Sequence, residues 1–159
     1  MTQPVEATQE TQLSATGAAL RWYERSIERR FDEEVDEWTA ENPDTGFTLQ
    51  FGVKARLAGE PPFVRVRVIL NLDEPDVSAV LDCGVEFRFE REPRGAISRE
   101  QAIRFIKDQG IPYILGLERG VLADLTREVG LPATLVPPQV PPGVLEDVDG
   151  ALIEIEEST

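Results

Sequence analysis

Between Thr48 and Phe89 the chain repeats one pattern three times: an apolar residue at every second position, in runs separated by turn-like breaks. The first run is Leu49, Phe51, Val53, Ala55, Leu57; the second is Val64, Val66, Val68, Leu70, Leu72; the third is Leu81, Cys83, Val85, Phe87, Phe89. Side chains on a strand alternate between faces with a period of two, so each run predicts a strand with one apolar face. The opposite face would carry Lys54, Arg56, Arg65, Arg67, Asp82, Glu86 and Arg88. The breaks, Gly59-Glu60-Pro61-Pro62 and Asp73-Glu74-Pro75-Asp76, are short enough for hairpins and predict an antiparallel meander. From Ser98 to Gly130 the period becomes helical, so the chain reads as α+β, a sheet followed by helices, rather than as alternating βαβ units.

The helical part carries its own punctuation. Ser98 and Gln101 have capping-box spacing, Ala102, Ile103 and Ile106 make a short apolar stripe, and Gly110 stands where a C-cap would, which predicts a short helix. Pro112 suits the start of a second, longer helix, whose stripe Ile114, Leu117, Val121, Leu125 with Leu122 and Val129 runs to Gly130 and Pro132. Gly116 and Gly120 lie four apart on it. A helical glycine costs about 1 kcal/mol relative to alanine, so the pair is expected to admit another backbone, in packing or at an oligomer interface. Glu118 and Arg119 between them exclude a membrane dimer motif. Residues 20–38 are ambiguous: Leu20, Tyr23, Ile27, Phe31, Val35 and Trp38 recur at helical spacing, whereas Tyr23, Ile27 and Phe31 also share strand parity.

A chain of 159 residues, 41% of them hydrophobic, suits a single core, expected over residues 18–145. Residues 1–17 have almost nothing large to bury and are expected to be a disordered lead-in, residues 132–142 are proline-rich and extended, and residues 146–159 form an acidic tail. A net charge of −14 works against phosphate backbones and anionic membranes, so no nucleic-acid partner and no membrane insertion are expected. No apolar run approaches the roughly 20 residues of a membrane helix, and the N-terminus lacks the layout of a signal peptide, which gives a cytoplasmic expectation. With no histidine and one cysteine, Cys83, the usual zinc sites, Cys/His pairs and Ser-His-Asp triads are excluded. Neither GxxxxGK[ST] nor GxGxxG occurs, so no catalytic residue, metal or cofactor is expected.

Three or four strands, a short helix, a long helix opened by proline, a Gly-Leu-Pro exit, a proline-rich stretch and an acidic tail form an order that resembles the SecB family. These are ATP-independent chaperones and include the SecB-like chaperones of toxin–antitoxin systems. The most specific stretch is Tyr113-Ile114-Leu115-Gly116-Leu117-Glu118-Arg119-Gly120, where the family carries an aromatic or apolar pair and then Pro-Tyr-x-Arg-Glu. Arg119 is kept, while Gly116 stands for the proline, Leu117 for the tyrosine and Gly120 for the glutamate. Leu131-Pro132 matches the pair after the helix, and residues 79–85 are similar to the family's last strand.

The resemblance implies a first strand over residues 21–36, completing a four-stranded sheet, with Asp32, Glu33 and Glu34 beside its edge as an acidic partner-binding face. It implies a holdase for unfolded or precursor polypeptides, with SecA or an antitoxin as further partner and a client surface including Tyr113, Leu117, Val121, Leu131, Leu135 and Val136. It also implies a homotetramer, a dimer of dimers, with Gly116 and Gly120 as contact points. Two alternatives stay open: a chaperone dedicated to one partner, and a small α+β ligand-binding domain unrelated to chaperones.

Overall fold

The structure, a computed structural model, describes residues 12–41, 46–58, 61–90, 97–132, 148 and 154–155, with residues 38–41 followed as backbone only. Along the chain lie β1 (Gly17–Arg29), α1 (Asp32–Glu41), β2 (Gly46–Arg56), β3 (Phe63–Glu74), β4 (Val77–Arg88), α2 (Arg99–Phe105), a π-helical turn (Ile106–Gly110), α3 (Ile111–Glu128) and β5 (Glu154–Ile155). Strict alternation produced β2, β3 and β4, which pair antiparallel in sequence order. Burial follows the alternation. Val64, Val66, Val68, Leu70 and Leu72 on β3, with Leu81, Cys83, Val85 and Phe87 on β4, are buried on one face.

β1 joins the far side of this meander. It pairs antiparallel with β4, giving the order β1-β4-β3-β2, and the short β5 adds in parallel to the outer edge of β2. The double signal at residues 20–38 has a physical origin in a β-bulge. Trp22 stands opposite Cys83 and Glu24 opposite Asp82, which leaves Tyr23 as the extra residue. The bulge reverses parity, so Trp22 and Ile27 both pack against the core although they are five positions apart. Tyr23 instead lies over Gly84, where a methyl group would come within 3.0 Å of its ring.

The expected strand over residues 21–36 therefore stops at Arg29. Arg30 ties this end to the β3–β4 turn through its N–H to the Asp76 carbonyl (2.8 Å) and its guanidinium to the Glu74 carbonyl (2.7 Å) and Ser78 Oγ. Asp32, Glu33 and Glu34 are then the first turn of α1, not a fringe of the sheet. The positive end of the helix dipole favours carboxylates there, and Glu34 also accepts the Phe31 N–H at 3.0 Å.

The capping box forms: the Gln101 N–H donates to Ser98 Oγ at 3.1 Å and the Ser98 N–H to Gln101 Oε1 at 3.0 Å. Gly110, expected to end the short helix, does not. It has right-handed helical dihedrals, and the helix continues through a π-turn in which the Ile111 N–H bonds to the Ile106 carbonyl. Pro112 has no N–H with which to make the α-helical bond, and the wider turn just before it absorbs that mismatch. Gly110 serves packing instead, since a methyl there would meet Val66 Cγ2 at 3.4 Å and the Phe87 ring at 3.6 Å. The other end of α3 closes as expected. Gly130 has φ +78°, its N–H bonds to the Arg127 carbonyl and the Leu131 N–H bonds to the Thr126 carbonyl, which is a Schellman motif.

α2, the π-turn and α3 lie on one face of the sheet over two apolar clusters. One joins Ala55, Val64, Val66, Cys83, Val85 and Phe87 to Phe105, Ile106, Ile111 and Ile114; the other joins Leu70, Leu72, Val77, Ala79 and Leu81 to Leu122. Residues 12–16, expected within the disordered lead-in, are tied down. Leu13 packs on the first cluster and accepts a bond from Gln109, and the Thr16 N–H donates to the Arg88 carbonyl at 2.8 Å. In the acidic tail Val148 is buried in the first cluster. The proline-rich stretch, with Leu135 and Val136, lies outside the described residues.

Candidate functional site

The helices cover the apolar face of the sheet unevenly. α3 turns Ile111, Ile114, Leu115, Glu118, Leu122 and Thr126 inward at helical spacing. One turn of the stripe to the side, Leu117, Val121 and Leu125 border the same clusters but remain half-exposed. On the sheet, Phe47, Leu49, Phe51 and Val53 of β2 are likewise half-buried, whereas the alternating positions of β3 and β4 are fully buried. Two apolar strips, one on a strand near the sheet margin and one on a helix flank, therefore reach solvent while resting on the core.

The expected client residues fall into three groups. Leu117 and Val121 lie on the helix strip, and Leu131 packs half-buried on the second cluster. Tyr113 is 49% exposed, with its ring edge-to-face on Phe87 at 5.7 Å. Leu135 and Val136 lie outside the described residues. Gly116 and Gly120 are on the exposed side of α3, and a methyl group at either would meet nothing within 4 Å among the described residues. Among the described residues no backbone uses the space they leave. Asp32, Glu33 and Glu34 are exposed, in the first turn of α1 rather than beside the edge of a strand as expected.

One polar group in the core went unnoticed in the sequence. Glu118 is fully buried, and neither carboxylate oxygen has a hydrogen-bond partner among the described residues. Burial, reinforced by the charge of Asp82, pushes its pKa up to about 9, so it holds its proton at neutral pH. Its signal was present: Glu118 stands four residues after Ile114 and four before Leu122, on the inward stripe. Burial first, then Glu118 and Asp82, pushes the Cys83 thiol up to about 12, which keeps it protonated and a poor nucleophile. Asp82 itself is held by a two-pronged pair from Arg67, Nε to Oδ1 at 2.8 Å and Nη2 to Oδ2 at 2.7 Å. Among the described residues no three His, Cys, Asp or Glu side chains gather as a metal ion would need, and no helix is long and apolar enough to cross a membrane. The arrangement offers apolar contact and ion pairing.

No protein-family model matches the chain, and no curated protein sequence matches it. Among solved structures it is similar to the Mycobacterium tuberculosis SecB-like chaperone Rv1957, solved in complex with a ChAD peptide from the Rv1956 HigA1 antitoxin. Identity is 14%, the TM-score is 0.49, and the match covers 77% of this chain and 88% of that one. It is also similar to a protein of unknown function from Streptococcus agalactiae, at 12% identity and a TM-score of 0.46, covering 78% of this chain and 99% of that one.

Proposed function

We propose that the protein is an ATP-independent holdase that binds extended, non-native polypeptide by apolar contact, working in the cytoplasm and without chemistry. The observation that carries this reading is the pair of half-buried strips, Phe47, Leu49, Phe51 and Val53 on β2 and Leu117, Val121 and Leu125 on α3, in a chain otherwise 29% charged. Apolar side chains kept at the surface of a highly charged protein mark a place of association. Covering one of them fully would yield about 2 kcal/mol, less here because each is already half-buried. Three or four such contacts give about 5 kcal/mol, a dissociation constant between millimolar and micromolar.

Binding that weak suits transient holding, and several sites on an assembly would make it secure. A tetramer, a dimer of dimers with the Gly116 and Gly120 side of α3 at a contact, supplies that multiplicity. The client set is either a range of precursors passed to a SecA-type motor or one dedicated polypeptide such as an antitoxin.

Light scattering from a chemically unfolded, aggregation-prone polypeptide tests the reading when the polypeptide is diluted into buffer with the protein and without nucleotide. Aggregation is expected to be suppressed near stoichiometric amounts, and a Leu117→Gln, Val121→Gln chain with an unchanged circular-dichroism spectrum should lose most of that effect. Unaltered aggregation of several unrelated polypeptides would remove the general holdase and leave the dedicated one.

A further inference from the structure

The solvent face of the sheet runs against the composition of the chain. The net charge is −14, yet three successive cross-strand rows on this face are basic. They read Gly52, Arg67, Gly84, Arg21; Lys54, Arg65, Glu86, Ala19; and Arg56, Phe63, Arg88, Gly17. Across β1 to β4, among the described residues, these rows hold six cations and one carboxylate. Glu86 accepts from Arg65 Nη2 at 2.7 Å and Arg88 Nε at 3.1 Å, and the Arg65 bond above all holds its carboxyl below the usual range. One row further on stand Asp82, taken up by Arg67, and Glu24, which accepts from Ser26 Oγ at 2.9 Å.

Two aromatic rings order the guanidinium groups. Arg56 and Arg65 lie 5.2 and 5.5 Å from the centre of Phe63, and Arg67 and Arg21 lie 4.1 and 5.1 Å from that of Tyr23. Stacked guanidinium groups lose little further entropy when they bond a carboxylate. The surface is a preorganised cation array.

The edge beside it already accepts a strand. Of the 11 residues of β2, Lys54 and Ala55 pair on the outer side, in parallel, with Glu154 and Ile155 of the chain's own C-terminal segment. Among the described residues nothing else pairs along that edge. In register, Glu154 follows on from the row of Lys54, Arg65 and Glu86. The paired residues are Glu154 and Ile155, and the sequence continues with Glu156 and Glu157.

We infer that the β2 edge and the basic rows next to it dock an acidic, extended segment of a partner protein, added as a strand, and that residues 154–155 are the resting occupant it displaces. Backbone pairing supplies affinity that tolerates sequence, and the cation rows select for carboxylates. A nucleic acid could meet the charge but has no amide backbone to pair with the edge. The basic rows are on the face of the sheet opposite the apolar strips, and strand addition uses the backbone edge of β2 rather than its apolar side chains, so the inference does not depend on the holdase reading.

The test is fluorescence anisotropy with a labelled synthetic peptide of residues 149–159, titrated with the full-length protein and with an Ile155→Pro variant whose tail cannot pair. A tethered segment competes at an effective concentration on the order of millimolar, so the variant is expected to bind the peptide at least about tenfold tighter than the unaltered chain. Glu154→Lys, which sets like charge against Lys54, should give the same gain without touching the backbone. A peptide N-methylated at the two positions matching Glu154 and Ile155 should not bind, and Lys54→Gln with Arg56→Gln should weaken binding several-fold. Equal binding of the methylated peptide, equally tight binding of a 20-residue oligothymidine, or no gain in either tail variant would overturn the inference. Aggregation suppression measured with and without saturating peptide shows whether the two faces act separately, so failure here leaves the holdase result standing.

Discussion

Glu118 sets the pH behaviour of the fold. Its carboxyl ionises near the ordinary value of 4.5 in the unfolded chain and near about 9 when buried. Between those values only the unfolded chain releases the proton, so the folded state loses stability relative to the unfolded one as pH rises from about 5 to about 9; below 4.5 both forms hold the proton and the dependence vanishes. Urea midpoints at pH 5, 7 and 9 should fall more steeply for the native chain than for Glu118→Gln, and parallel slopes would contradict the assignment. The glycines divide by the same kind of argument. Gly130→Ala places a Cβ in a left-handed residue and 2.9 Å from Arg29 Nη1, which already donates to the Val129 carbonyl, so a loss of about 1–2 kcal/mol is expected. Gly116→Ala and Gly120→Ala meet open space and should each stabilise the protomer by up to about 1 kcal/mol in thermal melts. If their side of α3 is the assembly contact, the same variants dissociate more readily in sedimentation. Gly130 was legible from sequence because helix, glycine and proline follow one another. Glu118 stands on an equally legible stripe, but a carboxylate in a chain with 30 acidic residues points by type to solvent rather than to the core.

At the scale of elements, legibility followed the strictness of the period. β2, β3 and β4 alternate without a break, and their register could be written down from Leu49 to Phe89. β1 could not, because the bulge at Tyr23 moves Ile27 onto the face that Trp22 occupies and so imitates helical spacing. Its pairing with β4 was also out of reach. Short breaks specify hairpin neighbours, whereas residues 30–45 contain α1 and lead from one edge of the sheet to the other. Gly110 misled for a related reason, since glycine before proline signals a stop unless a π-turn takes up the missing bond. The capping box was legible from the spacing of Ser98 and Gln101, and its worth is measurable: Ser98→Ala leaves the Gln101 N–H without its acceptor and should cost about 1 kcal/mol in urea titration, with an unchanged dependence on denaturant.

The whole molecule is a sheet with unlike faces. One carries the core and its half-open margin of Phe47, Leu49, Phe51, Leu117 and Val121; the other carries cations held by Phe63 and Tyr23. Strand alternation announced both faces, since the basic residues occupy the even positions from Lys54 to Arg56 and again at Arg88, and the odd positions Arg65 and Arg67. How far α3 covers the apolar face was not legible, because the lateral position of a helix on a sheet depends on contacts such as Gly110 against Val66 and Phe87. That position decides which apolar residues remain available to a client. Hydrogen exchange read by mass spectrometry, on the protein alone and with a permanently unfolded, reduced and alkylated polypeptide, tests this most directly. The account predicts added protection confined to β2 and to residues 117–125 of α3, with β4 and α2 unchanged. Added protection that misses both strips, or none at concentrations that suppress aggregation, would contradict it.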